Sequence, residues 1–427
     1  MKLRTPLSGA DAFLLAVERM MLASGQGRHL GLTVLELGPG FDAARFRSAV
    51  ERIATASPLA AARLRHPLAR VPHWVWSDET RATFPVTAHA LGIDRDSFSE
   101  TRLNHAGDEP VRFDVLPRAD GTTTLVMCWR HFLLDGRGAE LLLAAVARLA
   151  ADPAATALEN SWGPPPTRAG GWRARLGEAE NFKDHFYKNA RVGIDSLSGP
   201  EPRAGSARFV LEQFSVEETS RLAERASTVT RGLFSLAWFL AVTMRAHRAV
   251  FQKRGAEPDS YQASCAVQER KRGARHPIWQ NRVSQLFFCL RRDEAADLEN
   301  AARTLHEQFT TLSQARMPQA FATMTGLFRR LPTSWYLRFI RGNSGGHITS
   351  FFYSHTGQFL PECEEIASAK INDGWHIPSV SAPPGTGIFF SERGGRLTAT
   401  ISWRAGAVTD DEIALMRATL REDLLGR

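Results

Sequence analysis

The segment Leu125–Leu143, LVMCWRHFLLDGRGAELLL, decides the fold. It begins within an apolar run that predicts a buried β-strand over 123–130, and it ends in an apolar stripe that predicts an α-helix over 138–149. Between the two stand His131 and Asp135, with Gly136 directly after. A strand that passes through such a short turn straight into a helix indicates an α/β protein.

The position of His131 favours a catalytic role. At the end of a strand the ring can face a cleft, and an imidazole, whose ordinary pKa is about 6.5, can accept a proton from a hydroxyl or an amine. Asp135 lies where the chain turns and can anchor the loop, while Gly136 permits the tight backbone that the turn requires. A bare His-x-x-x-Asp pattern also arises by chance, so a His and an Asp that merely cap the helix remain an alternative.

Alternation along the strand assigns its side chains to two faces. One face carries Leu125, Met127, Trp129 and His131, and the other carries Val126, Cys128 and Arg130. Arg130 is therefore expected to point away from His131.

Strand and helix patterns alternate on both sides of one irregular segment. Residues 151–208 contain Gly-Pro-Pro-Pro, Gly-Gly and Ser-Gly-Pro, which predict a linker. The other predicted strands cover 29–37, 86–90, 111–115, 207–211, 260–268, 283–290, 348–353, 386–391 and 397–403, and the other predicted helices cover 43–55, 216–226, 233–251, 294–313 and 410–425. We predict an N-terminal lobe over 1–165, a linker over 166–206 and a C-terminal lobe over 207–427, each lobe a mixed sheet flanked by helices.

The composition limits the class of protein. The 427 residues are 43% hydrophobic and 23% charged, so the chain can bury a large core and is not disordered. No uncharged run reaches the roughly 18 residues that span a bilayer, and Glu18 and Arg19 end the short apolar stretch near the N-terminus, so we predict a cytoplasmic protein. The cysteines lack the spacing of a disulfide framework or of a metal site, and no metal is expected: Cys128, Cys265, Cys289 and Cys363.

The net charge of +8 predicts favourable encounters with polyanions, among them nucleic acid, anionic lipid, an acidic carrier protein or a phosphate-bearing cofactor. A basic run over 268–276 follows a predicted strand. A solvated loop is one interpretation, and phosphate binding by Lys271, Arg272 and Arg275 is the other. No aromatic residues alternate with these side chains, so we do not expect a nucleic-acid partner.

Five segments together resemble a known family. The strand, HxxxDG and apolar helix around His131 resemble the HxxxD acyltransferase superfamily, which includes nonribosomal peptide condensation domains, wax ester synthase/diacylglycerol acyltransferase-like enzymes and polyketide-associated acyltransferases. Leu7–Leu14, LSGADAFL, is similar to the LSxxDxxF opening of the wax-ester branch, and PHWV at 72–75 to its Pro-x-Trp-Val segment. WQNRV at 279–283 resembles the family's Gly-Asn element, and YSHTG at 353–357 the Ser-Asn-x-x-Gly element that lines its cleft.

The resemblance implies a chloramphenicol acetyltransferase-like fold, in which the active site lies in a tunnel between two lobes. It implies that His131 is the general base, that Asp135 organises the loop, and that Arg270 at the end of a strand pairs with Asp135. We place Asn281, Ser354 and Arg270 at the substrate. The main-chain N–H of Gly136 and the Ser354 hydroxyl are our candidates for stabilising an oxyanion, although Ser354 can also merely close a turn before Gly357.

The chain departs from the family pattern at three places. Arg130 stands where a first histidine is usual, and His355 stands where the family usually has Asn. Asp373-Gly374-Trp375 has only part of the DFGWG motif of plant acyltransferases, and we interpret it as a turn.

A further segment, Leu327–Arg341, mixes aromatic residues with four arginines and is interrupted by Pro332, which indicates either a packed helix and turn or a membrane-surface anchor.

The sequence therefore predicts an acyltransferase of secondary-metabolite or lipid biosynthesis, with no bound cofactor. Its donor would be a thioester of CoA or of an acidic phosphopantetheinyl acyl carrier protein, and its acceptor a small alcohol or amine. Two alternatives remain. One is a catalytically silent module that binds a carrier protein or an acyl chain, and the other is a peripheral membrane enzyme that makes neutral lipids.

Overall fold

The structure is a computed structural model that describes residues 2–57, 61–65, 71–77, 83–152, 154–155, 171–190, 193–230, 235–271, 273–342 and 345–426. In chain order its elements are β1 (Lys2–Pro6), α1 (Gly9–Ala23), β2 (Leu30–Leu37), α2 (Ala43–Ala56), β3 (Arg63–Arg65), β4 (His73–Ser77), β5 (Val86–Ala88), α3 (Arg95–Leu103), β6 (Val111–Pro117), β7 (Thr123–Arg130), α4 (Gly136–Ala151), α5 (Trp172–Ala190), β8 (Ala207–Gln213), α6 (Val216–Thr230), α7 (Ser235–Lys253), β9 (Ser260–Gln268), β10 (Val283–Arg291), α8 (Leu298–Gln314), α9 (Met317–Phe328), α10 (Thr333–Gly342), β11 (Phe351–Gln358), β12 (Glu365–Ile366), β13 (Ala369–Pro378), β14 (Thr386–Arg393), β15 (Arg396–Arg404) and α11 (Asp410–Leu425).

The first of two large sheets has the strand order β12-β13-β2-β7-β6-β5. Its neighbouring strands are antiparallel except for β5 and β6. At its centre β2 and β7 pair so that Leu30 lies opposite Arg130. Alternate side chains of β7, including Leu125 and Met127, pack with α2 and α4 in one core, while Val126 belongs to another, so the predicted assignment of faces is confirmed for these residues.

The second large sheet has the strand order β10-β9-β11-β14-β15-β8. Here β11 is parallel to both of its neighbours, β9 and β14, and the other neighbouring pairs are antiparallel. Helices α6, α7, α8 and α11 contribute to the core on this sheet. A separate small sheet has the order β1-β4-β3. Most predicted strands and helices are confirmed, with their ends shifted by a few residues.

The chain crosses from the second sheet back into the first at β12 and β13, and returns to the second sheet at β14. The prediction of a turn at Asp373-Gly374-Trp375 is wrong, because all three residues lie inside β13 and pair with β2. At Gly374 a Cβ atom would lie 2.5 Å from the Phe359 ring and 3.0 Å from the Val34 carbonyl oxygen. Glycine is therefore required here by close packing within a sheet.

Helix α5 lies inside the segment that the sequence predicts to be an irregular linker. Phe182 and Phe186 stand four residues apart, so they share one face of this helix, and both are buried against Phe287. The glycines and prolines around the helix conceal this short apolar stripe in the sequence. The predicted bounds of the two lobes stay a prediction.

The predicted break at Pro332 is confirmed, since α9 ends at Phe328 and α10 begins at Thr333. Trp335 of α10 is 69% exposed, and Arg338 on the same helix is also exposed. Among the described residues, no helix has the length and apolar character needed to cross a membrane.

Candidate active site

A cavity of about 400 Å³ lies between the two large sheets. The first sheet and the residues that follow its strands contribute Trp129, His131 and His376 to the wall, and the second sheet contributes Ser264, Gln285 and Ser354. The cavity thus lies where the sequence places the active site, between the two lobes.

His131 is held in this wall through its main chain. Its N–H donates to the carbonyl oxygen of His29 at 2.9 Å, and its own carbonyl accepts from Nδ2 of Asn281 at 3.1 Å. Burial lowers the pKa of His131 below its ordinary value of about 6.5 and outweighs the ring's interaction with its own main chain and the nearby charge of Asp135, both of which raise it. At neutral pH the imidazole is therefore uncharged and can accept a proton.

Asp135 anchors the turn between β7 and α4. Its carboxylate accepts from the Gly138 N–H at 2.7 Å, as an N-cap, and from the Arg282 N–H at 2.7 Å. Nη1 of Arg270 lies 2.8 Å and 2.9 Å from its two oxygens, so the predicted Asp135–Arg270 ion pair is confirmed.

Arg270 is nearly inaccessible, with a side chain that is 2% exposed, although it contributes to the cavity wall. Besides Asp135, its guanidinium donates through Nε to the Pro277 carbonyl at 2.9 Å. These contacts give Arg270 a structural position, and its direct contact with substrate stays a prediction.

Asn281 connects the start of the chain to His131. Its main-chain N–H and its Nδ2 both donate to Oδ1 of Asp11, at 2.8 Å and 3.0 Å. Asp11 in turn forms a capping box with Ser8 at the start of α1. Asn281 is not among the residues of the cavity wall, so its contact with substrate stays a prediction, while its amide supports the main chain of His131.

Ser354 and His355 line the cavity on β11. Ser354 pairs with Phe389 inside the strand, so the alternative that it closes a turn is wrong. Its role toward an oxyanion stays a prediction. The ring of His355 stacks on Phe239 with 4.6 Å between centroids, and burial lowers the pKa of His355 to about 4.

Gly136 is the first residue of α4 and lines the cavity. Its φ angle lies outside the left-handed region, so the prediction that a tight turn requires glycine here is wrong. A Cβ atom would instead lie 3.6 Å from Nε2 of His376, in ordinary contact, so glycine keeps this part of the cavity open. The first N–H groups of a helix have no partner within the helix, which fits the predicted role of the Gly136 N–H toward an oxyanion.

Two further histidines of the wall, His29 and His376, are missing from the sequence prediction. The centroid of the His29 ring lies 4.8 Å from that of His131, and burial, with the neighbouring His131, lowers the pKa of His29 well below its ordinary value. Nδ1 of His376 lies 3.0 Å from Oγ1 of Thr33, and Nε2 lies 3.1 Å from Oε1 of Glu140. Only the pairing of β2 with β7 and β13 brings these residues together, and no local sequence pattern carries that information.

Arg130 is absent from the cavity wall, as the alternation predicts. Its guanidinium contacts the buried carboxylate of Glu18 at 2.5 Å and lies over the Phe132 ring, 4.6 Å from the centroid.

Lys271 is exposed and contributes to the cavity wall, and Arg275 is also exposed. Arg272, predicted with them to bind phosphate, lies outside the described residues.

No protein-family model and no curated protein matches the chain significantly. Solved structures do. The chain is similar to trichothecene 15-O-acetyltransferase from Fusarium sporotrichioides, with 15% identity, a TM-score of 0.74 and coverage of 99% of this chain and 95% of that one. It is similar to the first condensation domain of the CDA synthetase, with 13% identity, a TM-score of 0.70 and coverage of 99% and 96%.

A third similar structure is polyketide synthase associated protein 5 from Mycobacterium tuberculosis, with 14% identity, a TM-score of 0.63 and coverage of 95% of this chain and 96% of that one. The chain has the two-lobed α/β fold of these three structures over nearly its whole length. The fold class implied by the resemblance in the sequence is confirmed.

We expect Asp135→Asn to lower the free energy of unfolding by about 3–5 kcal/mol, because it leaves the buried Arg270 without its counter-charge. The measurement is urea denaturation. Asp152→Asn, at the exposed C-terminal end of the same helix, is the matched control and should change stability by less than about 0.5 kcal/mol. Equal effects of the two substitutions would show that the ion pair does not hold the turn.

Proposed function

We propose that this protein transfers an acyl group from a thioester of CoA or of an acyl carrier protein to a hydroxyl or amine acceptor. The observation that carries the proposal is His131, an imidazole kept uncharged by burial and held by its main chain in the wall of a large cavity between the two sheets. An acetyltransferase and condensation domains have the same fold, which supports this class of reaction.

In the proposed reaction His131 removes the proton from the acceptor's hydroxyl or amine as the oxygen or nitrogen attacks the thioester carbon. The carbonyl oxygen becomes an oxyanion, which the Gly136 N–H and the Ser354 hydroxyl stabilise by donating hydrogen bonds. When the tetrahedral intermediate collapses, the C–S bond breaks and His131 returns the proton to the departing thiolate. The products are an ester or amide and a free thiol.

The position of Lys271 favours a donor that carries negative charge. It is exposed at the cavity wall on a chain whose net charge is +8, and both CoA and a phosphopantetheinyl carrier protein bring phosphate groups. Condensation domains of peptide and polyketide synthases are among the proteins with this fold, which supports a carrier-protein partner.

A peripheral membrane enzyme of neutral-lipid synthesis is the second candidate. The exposed Trp335 and Arg338 on α10 favour it, because an aromatic and a basic side chain suit an anionic membrane surface. Vesicle sedimentation with anionic lipid distinguishes the two candidates, since only this one requires binding. The cytoplasmic location stays a prediction.

His131→Ala should lower thiol release by about 10²–10⁴-fold, since it removes the base from a site that otherwise stays assembled. The measurement is thiol release from a panel of acyl-CoA and acyl-carrier thioesters, with and without candidate alcohols and amines. His105→Ala, which alters a partly exposed histidine away from the cavity, is the matched control and should leave the rate unchanged. Near-wild-type turnover by a folded His131→Ala protein would refute the assignment. Failure of every donor with wild-type protein would instead favour the silent module.

The pH dependence of kcat/KM should place its acid limb below about pH 6.5, because the base must be uncharged and burial lowers the pKa of His131. The rate should therefore stay constant down to that pH and fall as protons bind. Buried histidines also destabilise the fold when they become protonated, so each sample should be returned to neutral pH and assayed again. An acid limb above pH 6.5 would assign the titration to another group.

Lys271→Glu should raise the KM for the donor by roughly two- to five-fold at low ionic strength and leave kcat unchanged, because it reverses one exposed charge. Added salt should reduce the difference between variant and wild type. Lys253→Glu, an exposed substitution at the end of α7, is the matched control. If the two variants change the KM for the donor equally, or if neither changes it, Lys271 belongs to a solvated loop and does not bind the donor.

A further inference from the structure

A second, smaller cavity of about 30 Å³ adjoins the large one. Four residues contribute to the walls of both: Phe13 of α1, Phe287 of β10, Phe321 of α9 and Ile348. These four residues form a wall that the two cavities share. We call the large cavity, which His131 lines, the reaction cavity, and the smaller one the aromatic pocket.

Aromatic rings from several elements enclose the aromatic pocket. Phe182 and Phe186 of α5 meet Phe321 and Phe287 with 5.3 Å between ring centroids in each pair, and Phe287 and Phe321 lie 5.8 Å apart. Met324 also lines it. Rings in tilted and edge-on contact form a stable apolar wall, and a volume of about 30 Å³ has room for roughly two water-sized groups.

The polar atoms of the aromatic pocket do not suit a charged occupant. The Thr325 hydroxyl donates to the Phe321 carbonyl within α9, and Lys183 already has Glu180 and Asp184 within 3.8 Å. The Tyr336 hydroxyl is buried and has no hydrogen-bond partner among the described residues, so it offers one neutral polar group. An ionised group would be left without a counter-charge here, whereas a carbon chain or ring would pack against apolar side chains.

Because the aromatic pocket adjoins the reaction cavity, a group that reacts at His131 can extend toward the pocket. In a thioester the polar atoms lie at the reacting carbon, where the proposed reaction places His131 and Ser354. The remaining carbons of the acyl group extend away from that point and need an apolar surface. Each methylene group that leaves water for such a surface strengthens binding by about four-fold.

We propose that the aromatic pocket receives the far end of the transferred acyl group, so that the enzyme prefers uncharged apolar acyl groups longer than acetyl. This inference rests on the proposed acyl transfer and specifies its substrate class.

The test compares kcat/KM for acetyl-, butyryl-, hexanoyl- and octanoyl-CoA with one acceptor. Met324 lines the aromatic pocket but not the reaction cavity, so Met324→Phe fills the pocket alone. This variant should lower kcat/KM for the preferred long donor about ten-fold and have little effect on kcat/KM for acetyl-CoA. Phe186→Ala enlarges the pocket and should shift the optimum to a longer chain. Because the two variants act in opposite directions, a failure of one to fold does not remove the test.

Phe389→Ala is the matched control, because Phe389 lines the reaction cavity but not the aromatic pocket. Phe389→Ala should change kcat/KM for all four donors by a similar factor. Equal kcat/KM values for all chain lengths, or variants that alter the preference for acceptors instead of donors, would overturn the inference.

A binding measurement separates this inference from the proposed function. S-alkyl-CoA thioethers cannot react, and calorimetry should give affinities that rise with alkyl length in wild-type protein and not in Met324→Phe. If affinity rises with alkyl length in this way while no thioester releases thiol, acyl transfer is refuted and the binding of alkyl chains by the aromatic pocket is confirmed. If thioesters react but alkyl length affects neither affinity nor rate, the inference fails and the proposed function stands.

Discussion

The carboxylate of Asp135 is the point on which the rest of the site depends. It follows β7 of the first sheet, pairs with Arg270 after β9 of the second sheet, and accepts from the Arg282 N–H just before β10. It also caps α4. Removing one partner from a buried ion pair costs several kcal/mol, so this contact fixes the turn that contains His131 relative to the opposite sheet.

A second connection reaches the main chain of His131 from the start of the chain. Asp11 at the start of α1 binds Asn281, and Asn281 binds the carbonyl of His131. Both carboxylates are buried, and burial raises the pKa of Asp11 against the opposing effect of its hydrogen bonds. Asp135 accepts from Arg270 and from two main-chain N–H groups, and Asn281 donates to the carbonyl of His131, so both connections position His131 through its main chain.

Local periodicity explains what could be predicted from the sequence. The strand, turn and helix from 123 to 151 follow from residues that are neighbours in the chain, and the alternation along β7 assigns Arg130 to the far face. The Asp135–Arg270 pair came from the resemblance and not from any local pattern. His29 and His376 could not be found in either way, because strands distant in sequence bring them to the cavity. Helix α5 was missed because two phenylalanines in a segment rich in glycine, proline and charge form too short an apolar stripe.

The passage of β12 and β13 into the first sheet has a consequence for the order of folding. Until residues near 369–378 have been synthesised, β2 is an open edge of that sheet, with main-chain groups able to pair with another chain. Most strands of the second sheet precede this segment, so they are synthesised while the first sheet still lacks β13. The nascent N-terminal half therefore lacks one neighbour of β2, and an unpaired strand edge of this kind favours aggregation. His376, carried by β13, can reach the cavity only after this segment has been made.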